Sequence, residues 1–139
     1  MIQNNKVVSI ANTLAASLNY ARMEAIRRGV RVSVCPAASM ALNSCGGIGQ
    51  WAQGWVVFVD NDTDDVIDPN DELVKVQEAL PTGATANANS DIVSYDGSGF
   101  ITSGAFSITL SADGCNRDNA RVLDLTTSGR LSVRRAACP

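Results

Sequence analysis

The sequence predicts an α+β domain, with one long helix packed on an antiparallel β-sheet. Three observations lead there. Apolar residues recur at three- and four-residue steps over residues 5–28. From Val30 the pattern switches to alternation, and turn residues then punctuate the chain to its end. One helix followed by a run of strands is the order of an α+β fold rather than of alternating βαβ units.

The 139 residues, 45% of them apolar, suffice for one domain with a real core and are too few for two ordinary ones. The domain is therefore expected to span 1–139, as a helix at 5–28 and a β-rich part at 30–139. On the helix, Val7, Ile10, Ala11, Leu14, Ala15, Leu18, Ala21, Ala25 and Ile26 form the apolar stripe. Arg27 and Arg28 suit a helix C-terminus, and Gly29 follows as its cap.

Val30, Val32 and Val34 alternate with Arg31, Ser33 and Cys35 in a first strand. Residues 36–54 are rich in Ser, Asn and Gly and read as an irregular excursion. Residues 55–59 read as a buried strand, 60–72 as an acidic loop and 73–76 as a short strand. A Pro-Gly turn at 81–83 follows. Further strands are expected at 91–95, 106–110, 121–125 and 130–134, the last two joined by a hairpin turn with Gly129 where a positive φ is needed.

Composition removes several function classes. The chain has no histidine, so triads and metal sites that need an imidazole are excluded. No nucleophile is paired with a base, and neither an enzyme activity nor a cofactor is expected. The net charge of −3 argues against gripping nucleic acid with the whole surface. Charge is nonetheless uneven. Seven of the fourteen acids lie between Asp60 and Glu72, and five of the eleven basic residues lie from Arg117 onward.

Cys35, Cys45, Cys115 and Cys138 form no CxxC pair, so two disulfides in an oxidising compartment are expected. Of the three connectivities, Cys35–Cys45 with Cys115–Cys138 is favoured, because each pair closes a local loop. Such loops stabilise by roughly 3 kcal/mol each. No apolar run of ~20 residues exists and no export signal is visible, so a preceding segment is expected.

The stretch LNYARMEAIRRGVRVSVCP resembles the "ARsEAirRg-x-V-x-vC" segment of the GspH/FimT family of type IV pilin-like proteins. WAQGWVVFVDND is similar to the family's "W-x-x-GW-x-vF-x-D-x-N" strand and turn, and DLTTSGRLSV to its C-terminal "GR" hairpin. The three motifs occur in order over nearly the whole chain. Members of the FimU type, which are minor pilins, look nearest, with the FimT type next. The resemblance implies an apolar helical half before this segment, anchored in the inner membrane, and a domain facing the periplasm. It implies a structural subunit of type IV pilus assembly whose partners are other minor pilins and the major pilin. The alternatives are a DNA-binding minor pilin for DNA uptake and a type II secretion pseudopilin.

Candidate sites follow. Val7, Val8 and Ile10 are expected on a face that packs on neighbouring subunits, with Leu14 to Ile26 serving the domain's own core. Asp60, Asp62 and Asp64 have the alternating spacing of a calcium loop, but Asp65 stands where an EF-hand needs Gly, so a solvated turn is the preferred reading. Arg117, Arg130, Arg134 and Arg135 could meet phosphates. FimT-type relatives use a "GRxR" tail for DNA, and here Ser132 replaces the second Arg. An exposed basic edge that discourages strand pairing is the preferred reading. Trp51 and Trp55 are expected to be buried beside the Cys35–Cys45 bridge.

Overall fold

Helix α1 runs Ile2–Arg28, three residues longer at its start than the periodicity indicates, and is about 40 Å long at 1.5 Å per residue. The computed structural model describes residues 2–39, 44–60, 67 and 71–139, with side chains from residue 6 onward. Gly29 N–H donates to Ala25 O at 2.8 Å and closes the helix.

Among the described residues eight strands follow: β1 (Val32–Pro36), β2 (Trp55–Val59), β3 (Glu72–Gln77), β4 (Ala84–Ala88), β5 (Val93–Tyr95), β6 (Phe106–Ala112), β7 (Ala120–Leu125) and β8 (Leu131–Ala136). They form two antiparallel four-stranded sheets rather than one, in the orders β3-β2-β1-β5 and β4-β6-β7-β8. A 3-10 helix at Ile48–Gln53 lies within the segment read as irregular.

α1 spans both sheets, packing on β6 and β7 of one and on β1, β2 and β5 of the other. Leu14, Leu18, Ala21 and Ala25 are fully buried there. Each buried leucine is worth roughly 1.5–3 kcal/mol. Ile26, placed by its spacing in the stripe, is instead 50% exposed. β1 and β2 are buried along their whole length and do not alternate. The reason is a second apolar cluster behind that sheet, made of Cys35, Ala37, Val56 and Phe58 with Cys45, Ile67 and Ile92 against them.

The two expected disulfides are present, Cys35–Cys45 and Cys115–Cys138. The tryptophans are buried with their side chains in the main core, while Cys35 belongs to the second cluster, although Trp55 stands opposite Pro36 in register. Trp51 stacks at a tilt on Phe106, with centroids 5.4 Å apart, and its Nε1–H donates to Ser90 O at 2.9 Å.

Candidate functional site

The residues of the three sequence motifs converge on joints between elements. Arg22, in the last turns of α1, donates from Nε to Gly99 O at 3.1 Å. Gly99 lies in the turn after β5, and Ile101 N–H donates to Thr127 O in the β7–β8 turn at 2.9 Å. Gly129 closes that turn at φ 87°, and a Cβ there would strike the Gly99 carbonyl oxygen and the Arg22 guanidinium. Helix and both sheets therefore meet at one point that only glycine admits. Gly54, at φ 102° between Trp51 and Trp55, has Gln77 O where its Cβ would stand.

Also in the last turns of α1, Glu24 is 8% exposed and takes hydrogen bonds from Arg27 Nε and Nη2, both at 2.8 Å, and from Arg28 Nε at 3.2 Å. Arg28 also holds Glu72 with two bonds of 3.0 Å, tying α1 to β3. The Arg27 hydrogen bonds, with the charges of both arginines, hold the Glu24 carboxyl below its ordinary value, and Arg28 does the same for Glu72. Tyr95 is buried nearby; burial pushes its phenol up, while the Arg22 charge pulls the other way.

Of the three residues expected on a partner face, Val7 and Ile10 are corrected. They are 1% and 4% exposed and belong to the domain's own core, because α1 already lies on the sheets at its first described turns. Val8 is 37% exposed. The outward face of α1 continues from it through Asn12, Ala16, Asn19, Met23 and Ile26, all exposed and none charged. A helix that faces water ordinarily carries its charges there.

The arginines expected to act together do not form one patch. Arg134 donates from Nε to Asp124 at 2.8 Å and is neutralised across the strand pair. Arg135 points to the other face of β8, opposite Arg121 in register. Arg130 sits at the Gly129 turn, at the opposite end of β8 from Arg135 and Arg117. Arg117 is joined to that far end by Cys138 N–H, which donates to Arg117 O at 2.9 Å. Arg121 went unnoticed as a site residue in the sequence, since only strand register reveals that it faces Arg135. Val133 is 47% exposed, because α1 packs chiefly on β6 and β7 of this sheet.

Asp62 and Asp64 lie outside the described residues. Asp60 is 1% exposed and its N–H donates to Arg31 O at 3.0 Å, so it is anchored to the fold and is not part of a solvated turn. Among the described residues no group of three acids, cysteines or histidines could hold a metal, and no helix is long and apolar enough to cross a membrane.

No curated protein matches the sequence. Solved structures do match the fold. The type IV minor pilin FimU of Pseudomonas aeruginosa superposes with a TM-score of 0.72 at 19% identity, covering 94% of this chain and 89% of that one. The minor pseudopilin EpsH of the type 2 secretion system of Vibrio cholerae gives 0.65 at 13% identity, covering 94% and 97%. The family model described as type II transport protein GspH matches residues 11–129. With that match spanning most of its length, the chain belongs to the GspH family of pilin-like proteins.

Proposed function

We propose that this chain is a minor pilin, a subunit that helps to start or join a type IV pilus by contact with other pilins and performs no catalysis. The observation that carries the reading is the uncharged outward face of α1 from Val8 to Ile26. Left in water, that face forgoes the solvation a surface helix normally has. Covered by the helices of neighbouring subunits, its Ala and Asn residues allow close approach, and Met23 and Ile26 add apolar contact. The partners are other minor pilins and the major pilin. An apolar segment preceding α1 would hold the precursor at the periplasmic side of the inner membrane. The FimU likeness supports a pilus over a secretion apparatus, and the EpsH likeness keeps the pseudopilin as the rival.

The test is complementation of a gene deletion. The deletion is expected to lose most surface pili, and the wild-type gene to restore them. Ala16→Glu with Met23→Glu should leave the isolated domain's stability within about 0.5 kcal/mol, because both sites are exposed, yet fail to restore piliation. Normal piliation in the deletion, with loss of protein secretion instead, overturns the pilus reading in favour of the pseudopilin.

A further inference from the structure

The four sheet edges differ in how they are protected. β3 has a register shift against β2 between Val57 and Phe58 and carries charges of both signs, Glu72 and Lys75. β5 is three residues long, and Tyr95 at its end is bridged to Ile101. β4 packs against the 3-10 helix. β8 has no register shift, shortening or covering element among the described residues, and its charges, Arg134 and Arg135, are of one sign, so they repel another basic strand and not an acidic one. Its six residues keep an unbroken register with β7, contain no proline, and have no strand on the other side among the described residues.

The helix-side face of β8 is only partly covered. It presents Leu131, Val133 and Arg135 in succession, Leu131 half-buried against the core and Val133 47% exposed. Arg135 and Arg121 stand directly opposite each other. Arg121 Nη1 donates only to Ala120 O at 3.2 Å, and Arg135 Nη2 only to Asn119 Oδ1 at 3.0 Å. Neither has a carboxylate within ion-pair reach among the described residues, and Asp118 in the adjoining loop pairs with neither. Like charges opposed across a strand pair destabilise it, so this arrangement favours an anion from outside.

We propose that the free edge of β8 is a docking site for an extended acidic segment of a partner protein, which adds antiparallel to β8 with apolar residues against Leu131 and Val133 and a carboxylate on Arg135 and Arg121. Main-chain hydrogen bonds supply the attachment, and the arginine pair supplies the selection. A second copy of β8 is disfavoured as occupant, because it brings two further arginines and no carboxylate for Arg121 and Arg135. A nucleic acid is disfavoured because it offers nothing to Leu131 and Val133. The proposal deepens the assembly reading and rests on it for its setting. Its failure would leave the piliation result untouched, so the two can fail separately.

The probe is the blocked peptide Glu-Thr-Val-Thr-Ile-Thr, titrated into the full chain and followed by backbone amide NMR. A counterpart with Lys in place of Glu and a short DNA duplex serve as comparisons. The expected result is saturable shifts confined to β8 and its β7 neighbours, with a Kd of roughly 10⁻³–10⁻⁴ M, and binding of the Lys peptide at least ~10-fold weaker. Arg121→Glu with Arg135→Glu should reverse the preference while leaving the other amides in place. If that variant does not fold, Arg135→Gln alone should weaken the Glu peptide by ~3-fold or more. Shifts elsewhere, no saturation by ~5 mM, or equal binding of the two peptides overturns the proposal. So does duplex DNA that binds these arginines more tightly than the Glu peptide at the same salt.

Discussion

At the C-terminal end of α1, Arg27 and Arg28 are each tied to a carboxylate. At the far end of β7 and β8, Arg121 and Arg135 reach only neutral oxygens. The same residue type thus does two jobs. In the first region arginine is part of the joint that holds helix and sheets together, and its charge is compensated within the fold. In the second its charge is left over, on a strand edge that α1 does not cover. Charge that a domain leaves uncompensated beside an open edge is available to a partner, whereas compensated charge is not.

The comparison breaks most decisively at Gly129. Gly129→Ala places a Cβ at φ 87° against Gly99 O and Arg22. It is expected to cost at least ~2 kcal/mol and to lower the melting temperature by several degrees. A melting curve like the wild type's would mean the junction can open without loss.

A smaller effect concerns acid. Glu24 and Glu72 are held below their ordinary value of 4.5. The unfolded chain therefore takes up protons at these sites before the folded one does. Their stabilisation is present above that value and is lost as pH falls through the lower folded one. Between pH ~5 and ~3 the wild-type melting temperature should fall more steeply than that of Glu24→Gln. Parallel slopes would remove the ion pairs from the account of how α1 is held to β3.

The smallest effect has the opposite sign. Arg121→Gln relieves the opposition to Arg135 and should raise stability by ~0.3 kcal/mol, read as a higher urea midpoint at unchanged slope. A clear loss instead would place Arg121 among the structural arginines.

Much of this architecture was legible in the sequence, and the parts that were not share a cause. Helix 5–28 and the Gly129 hairpin are set by near neighbours, so periodicity and turn chemistry reveal them. The disulfides followed from loop closure. β4 was missed because Ala-Thr-Ala-Asn-Ala offers little β propensity and is held in place by pairing with β6. The division into two sheets was hidden, since which strands pair is decided by distant segments. The same holds for the site. The Arg134–Asp124 pair and the opposition of Arg121 to Arg135 exist only once the β7–β8 register is fixed. Val7 and Ile10 show the limit from the other side: an apolar stripe says that a face is buried and does not say against what.

The bridge between Cys115 and Cys138 encloses all of β7 and β8. The C-terminal hairpin is thus a covalent ring and not a tail. A protease that cuts the exposed Thr126–Ser128 turn opens the ring without releasing a fragment, and β8 stays fastened to the domain until the bridge is reduced. Tension applied beyond Cys138 likewise reaches Cys115 through the bridge, which limits how far the strands between them can be drawn apart.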